Sequence, residues 1–159
     1  MPSIEAANTQ TQIAPRKFTL WHLSLLLVVI GLLITAYLSY RKLVNVPVAC
    51  LEGSAFDCSL VESSAWSRVM GIPVAYLGFG AYVALGLLLL LEPRVGLVRE
   101  YGPMLVFAIT LFGFIYHLYL TYISIFVLQA LCPWCLTAEL TMTVLMVVSA
   151  LRLRQALRA

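Results

Sequence analysis

The 159-residue chain is 62% hydrophobic and only 11% charged, with a formal net charge of +3. That composition excludes an ordinary soluble domain and places the chain among integral membrane proteins. The small positive excess calls for no nucleic acid, because membrane orientation accounts for it.

Four nearly uncharged runs, 18–40, 69–91, 103–131 and 133–151, carry the apolar signal. At 1.5 Å per residue each can cross a hydrocarbon core of about 30 Å. The expected fold is all-α: one membrane domain, 18–151, built as a four-helix transmembrane bundle. A tail, 1–17, precedes it and a basic tail, 152–159, follows. The first run is too long for a secretory signal and no small-x-small cleavage site follows it, so it is read as a retained helix. Seven of the ten Lys and Arg fall to one side if the N-terminus is inside, with Arg41, Lys42 and Arg68 opposite. Both termini are therefore expected in the cytoplasm.

The polar first fifteen residues hold only Glu5 as a charge and read as a disordered tail. The first helix has Trp21 and His22 near its inner end and Tyr37 and Tyr40 near its outer end, the aromatic belts of a membrane anchor. An outer loop, 41–68, follows. Asn45-Val46-Pro47 turns the chain away from the membrane, Cys50 comes next, and 51–57 reads as a flexible turn leading to Cys58. Ser59-Leu60-Val61-Glu62 has the form of a capping box, so a short helix is expected beside Cys58. With Leu60, Val61, Trp66 and Val69 on one side, that helix would lie on the membrane surface as an interfacial lid.

Gly71-Ile72-Pro73 opens the second helix, whose Ala75, Gly78, Ala81 and Gly86 allow close helix packing. A charged inner turn, 92–102, makes the third helix antiparallel to it. The third helix carries an aromatic row, Tyr116, Tyr119, Tyr122 and Phe126, with His117 near mid-membrane. Such a stripe is either core packing or the wall of a site for a flat ring. His117 either bonds to a neighbouring backbone or takes part in chemistry.

Cys132-Pro133-Trp134-Cys135 opens the last helix. Two cysteines separated by two residues can close an easily exchanged disulfide, and a helix N-terminus favours the thiolate. Pro133 suits the first helical turn, where its missing N–H costs nothing. A zinc half-site and an inert structural bridge are the alternatives, but zinc sites usually pair two such motifs, and seven residues separate Cys50 from Cys58. No metal is expected. Cys132, Cys135 and Glu139 recur on one helix face, so the acid lies about one turn below the inner cysteine. An ionisable group inside the membrane is costly, which makes Glu139 either a proton or carbonyl contact for a bound acceptor or the partner of a tyrosine or His117. The topology sets all four cysteines on the non-cytoplasmic, oxidising side.

The order of these residues resembles the vitamin K epoxide reductase family, particularly its bacterial disulfide-forming members. The resemblance rests on the loop pair Cys50 and Cys58, then Ser64 and Trp66, then Cys132-Pro133-Trp134-Cys135 at the start of a last helix. A second group of membrane disulfide-forming enzymes has its Cys-x-x-Cys in the first outer loop, the reverse of the order here. The resemblance implies a four-helix bundle holding a quinone of the ubiquinone, menaquinone or vitamin K type near Cys135. It further implies electron flow from a thioredoxin-like partner outside the cytoplasm of a bacterial cell. In the family, that partner reduces a Cys50–Cys58 disulfide, Cys58 attacks Cys132, and Cys135 passes electrons on. Ser64 and Trp66 match residues of the short helix that covers the quinone pocket. Bacterial relatives often carry the thioredoxin-like domain fused after the helices; this chain stops at Ala159, so a separate partner is expected. The animal enzymes have an asparagine on the second helix and a tyrosine four residues after the last cysteine. The second helix here has no asparagine, and Glu139 holds the other place, which favours disulfide formation over epoxide reduction. The residues assigned to the quinone are thus Ser64, Trp66, Tyr122, Phe126 and Glu139. A scaffold with inert disulfides is the non-enzymatic alternative.

Overall fold

A computed structural model describes residues 14–50 and 56–159, with side chains from Leu20 onward. The expected tail before residue 14 and most of the turn after Cys50 lie outside the described residues.

Five helices are described. Helix α1 spans Ala14–Leu43, α2 is the six-residue Cys58–Ser63, α3 is Val74–Leu91, α4 is Gly96–Ile123 and α5 is Pro133–Arg158. Between α2 and α3 come a 3₁₀ turn, Ala65–Ser67, and a small hairpin of β1, Arg68–Val69, and β2, Ile72–Pro73. A π turn, Ser124–Leu128, extends α4. Four of the helices are long and apolar enough to cross a membrane. The shortest, α3, has 18 residues and reaches about 27 Å, close to the hydrocarbon thickness.

The chief contacts run α1 to α3, α3 to α4, α4 to α5 and α5 back to α1, giving a four-cornered bundle. Its centre is Val28 of α1, Tyr82, Leu85 and Leu89 of α3, Val106 of α4, and Met142 and Leu145 of α5. Leu33, Leu87, Phe112 and Leu140 point outward, as lipid-facing residues must. Helices in lipid gain little from the hydrophobic effect between themselves and depend on close fit and internal hydrogen bonds. Gly31 shows the fit: a Cβ there would lie 2.1 Å from Cε1 of Tyr82, so only glycine lets the ring pack against α1. Thr110 and Ser149, both buried, share a 2.8 Å hydroxyl hydrogen bond between α4 and α5. Near the end away from the cysteines, the Trp21 indole donates to the Leu89 carbonyl at 3.1 Å.

Several boundaries differ from those read from the sequence, each for a tertiary reason. Helix α3 starts at Val74 rather than 69. Before it, Met70 (φ 51°) and Gly71 (φ 86°) both take left-handed conformations, the pattern of a tight two-residue hairpin turn, and Val69 pairs with Ile72. Helix α4 starts at Gly96 rather than 103, and Pro103 lies inside it at the cost of one backbone hydrogen bond. It stops short of 131 because Gln129 turns left-handed (φ 51°). At the other end of the bundle, α5 continues to Arg158. Arg152, expected in the basic tail, is 8% exposed and forms a 2.5 Å ion pair with Glu92, 17% exposed, at the end of α3.

Candidate active site

The site grows from the N-terminus of α5. Cys132 is the N-cap, with extended backbone, and Pro133 takes the first helical position. The Leu136 N–H reaches back to the Cys132 carbonyl at 3.0 Å, closing the first turn. That turn points the Cys132 sulfur into protein, where the residue is 4% exposed, and leaves Cys135 exposed. A hydrogen bond from the Cys135 thiol, helped by the backbone N–H groups of Cys135 and Trp134, pulls the Cys132 thiol down to about 7, against burial and the Glu62 charge. Cys132 is therefore the more readily ionised thiol of the pair.

Cys50 and Cys58 form a disulfide with their Cα atoms 6.1 Å apart. Cys58 is the first residue of α2 and is 2% exposed. The capping box expected at Ser59 does not form. Asp57 caps α2 instead, its carboxylate accepting the Leu60 N–H at 2.9 Å. An Asp one residue before Cys58 is a cap as good as serine, and it starts the helix two residues earlier than a Ser59 cap would, at Cys58. Glu62, which takes no part in capping, borders the cavity described below.

The two sulfur pairs share one end of the bundle. Cys58 and Cys132 belong to a single buried cluster with Val48, bordered by Tyr37, Leu38, Cys50, Val61 and Trp134. The Trp134 indole donates to the Ala49 carbonyl at 2.8 Å and lies 4.8 Å from the Tyr37 ring. Arg41 stacks over the other partner of that pair, Tyr37, at 5.9 Å, and donates to the Pro47 carbonyl. Phe56 and Leu131, just before α2 and α5, pair as an isolated parallel bridge. The loop is thus anchored on both sides of the region where its disulfide lies.

Beneath this cluster is a partly enclosed cavity of about 140 Å³, comparable to the ~150 Å³ apolar cavity that admits a benzene ring. Leu38, Val61, Val74, Ala75 and Leu120 supply apolar wall, while Ser64, His117, Thr121 and Glu62 supply polar groups. Cys132 and Cys135 line one side. Ser64 and Trp66 both border the cavity, on the turn after α2. Tyr122 and Phe126 do not: they are 58% and 66% exposed and face outward, their rings 4.8 Å apart. Helical phase explains this placement, since His117, Thr121, Ser124 and Leu128 recur every three or four residues on the inner face, which turns 122 and 126 away from it. Of the aromatic row, Tyr119 meets the lid, edge-on to Trp66 at 6.3 Å.

Glu139 is outside the cavity lining and sits behind it. Its carboxylate accepts the hydroxyl of Thr121, a cavity residue, rather than a tyrosine. Sequence reasoning missed Thr121 and the position of Glu62. A signal for Glu62 did exist, because Cys58 and Glu62 are four residues apart and share a helix face. Burial pushes the Glu62 carboxyl above the usual carboxylate range, and Lys42 and Arg41 partly offset that.

A four-helix membrane bundle with two cysteine pairs converging over an apolar slot defines a membrane oxidoreductase of the disulfide and quinone class. The sequence profile of the vitamin K epoxide reductase family matches residues 22–150, most of the chain, and the chain belongs to that family. Four apolar helices and this membership make it a multi-pass membrane protein.

Proposed function

We propose that this chain is a thiol:quinone oxidoreductase that takes electrons from a thioredoxin-like partner outside the cytoplasm and supports disulfide formation. The carrying observation is the burial of Cys58, from the loop disulfide, in one cluster with Cys132, while Cys135 lines the cavity below. In this reading the cysteine end faces outward from a bacterial plasma membrane and both termini are cytoplasmic. The basic residues Arg94, Arg99, Arg154 and Arg158 at the opposite end support that orientation.

The sulfur chemistry follows from access. A partner thiolate attacks Cys50, breaking the Cys50–Cys58 bond and releasing Cys58 as thiolate. The partner's second thiol resolves that mixed disulfide, its proton passing to Cys58, and leaves the partner oxidised, with Cys50 as thiolate and Cys58 as thiol. Cys58 then attacks Cys132 in a Cys132–Cys135 disulfide, and Cys135 departs. Cys50 attacks Cys58, which restores the loop disulfide and frees Cys132. Two electrons have then moved from the partner to the Cys132–Cys135 dithiol.

The cavity fits a quinone head group: it has ring-sized room, apolar walls and the Ser64, His117 and Thr121 side chains as polar contacts. Trp66 and Ser64 would hold the ring from the lid side, with Glu139 acting from behind Thr121. A quinone, when bound there, supplies a two-electron, two-proton sink for the dithiol. Reconstitution with quinone and a reduced thioredoxin-like protein tests the reading. Cys135→Ala should abolish quinone reduction, and Cys58→Ala should trap a mixed disulfide through Cys50. Full quinone turnover in Cys135→Ala would refute it.

A further inference from the structure

The relay proposed above needs proton movement. A free thiol titrates near about 8.5, so near neutral pH only a few per cent of it is the nucleophilic thiolate. Cys58 is 2% exposed and lies away from bulk water. A base within the protein is therefore required when Cys58 attacks, and an acid when Cys135 leaves.

Glu62 is placed for both. It lies one turn from Cys58 on the same face of α2, and it lines the cavity that Cys132 and Cys135 border. Asp57 performs the capping that would otherwise occupy it. The backbone of Glu62 is clamped, its carbonyl accepting from Lys42 Nζ at 2.9 Å and from Ser67 Oγ at 2.6 Å. Its charge acts on both cysteines of α5.

We propose that Glu62 carries the proton that Cys58 gives up on attacking Cys132 and delivers it to Cys135 as that sulfur leaves. The Cys58 thiol passes its proton to the Glu62 carboxylate, and the resulting thiolate bonds to Cys132 Sγ. The Cys132–Cys135 bond breaks with its electron pair going to Cys135, and the Cys135 thiolate takes the proton from the Glu62 carboxyl. Glu62 ends as it began, and the disulfide has moved from Cys132–Cys135 to Cys58–Cys132. Burial, which raises the carboxyl toward the thiol range, lowers the cost of each exchange. The charged and titratable groups around Glu62 are Lys42 and Arg41 from α1, Cys132 and Cys135 from α5, and His117 across the cavity from α4.

The test uses the full chain in detergent, fully oxidised and without quinone. One equivalent of dithiothreitol is added, the reaction is quenched with acid, and each cysteine is scored by maleimide labelling and peptide mass spectrometry. Transfer through Cys58 is the rate lost in Cys58→Ala, which subtracts direct attack on the exposed Cys135. Near about pH 6 the Glu62→Gln variant should transfer about tenfold more slowly or worse, and the gap should close near about pH 9, where thiols ionise unaided. Glu62→Asp should recover part of the rate, and His117→Gln should retain the Glu62-dependent pH profile. A Glu62→Gln rate equal to wild type, or reduced by one factor at every pH, overturns the proposal; so does loss of the profile in His117→Gln. If Glu62→Gln fails to fold, Lys42→Met decides: losing that cation should move the acid limb of the profile to higher pH, and an unmoved limb overturns the proposal. Absence of Cys58-dependent transfer in the wild type would overturn the relay itself, a result distinct from a wild type that transfers and a Glu62→Gln variant that matches it.

Discussion

The indole of Trp134 donates a hydrogen bond to the Ala49 carbonyl at 2.8 Å. Trp134 lies between the cysteines of its own motif and Ala49 directly precedes Cys50, so one side chain ties the two sulfur couples together. The contact spans 85 positions of sequence. It holds the start of the loop against the N-terminus of α5.

Replacing this indole by a ring without a donor tests the tie. Trp134→Phe keeps stacking against Tyr37 but loses the hydrogen bond, an expected cost of about 1 kcal/mol in stability. Transfer between the pairs should slow more than partner attack on Cys50, because only the first depends on the loop lying over Cys132. Thermal unfolding in detergent and single-turnover thiol labelling measure the two effects.

The Cys132 thiol is held down to about 7 chiefly by the Cys135 thiol hydrogen bond. A depressed value means that thiolate predominates above it, so the reduced pair should gain one ultraviolet-absorbing thiolate as pH rises through about 7. Cys135→Ala removes the main cause, and the midpoint should move up toward the ordinary thiol range, about 8.5. Cys135→Ser, which keeps a donor, should move it less. A midpoint unchanged in Cys135→Ala would contradict this account.

Glu92 and Arg152 close the far end of the bundle as a largely buried pair. Removing one partner leaves a charge without compensation, so Glu92→Gln or Arg152→Met should lower unfolding stability by about 3–5 kcal/mol. The double variant Glu92→Leu with Arg152→Met should recover much of that loss. Denaturation of the purified variants distinguishes a structural pair from a purely topological positive charge, for which neither single change would matter.

Gly31 and Tyr82 make a steric pair that is equally direct. Gly31→Ala places a methyl 2.1 Å from the ring position seen here, and overpacking of this kind typically costs about 1–3 kcal/mol. Shortening the partner in Gly31→Ala with Tyr82→Leu should restore part of the stability. Additive losses in the double variant would show that the two residues are not coupled.

Much of the architecture is legible along the chain because it depends on short-range properties. Runs of apolar residues long enough to cross lipid define four helices, and Pro133 marks the start of the last. The spacing of cysteines about those runs sets both pairs at one end. Sequence periodicity did not orient the aromatic row: Tyr122 and Phe126 could have faced either way until the packing of α4 against α3 and α5 turned His117 and Thr121 inward. The capping motif was equally ambiguous, with Asp57 and Ser59 both able to start a helix. Joining Cys58 to Cys50 and packing it against Cys132 accompanies the earlier start, with Glu62 one turn on at the border of the cavity. Arg152 read only as part of a basic tail because its partner, Glu92, is 60 positions away. Composition and local spacing therefore determined that this is a membrane bundle with paired sulfurs. Helix rotation, cap choice and ion pairing were decided only in three dimensions, because each depends on which distant side chain becomes the nearest neighbour.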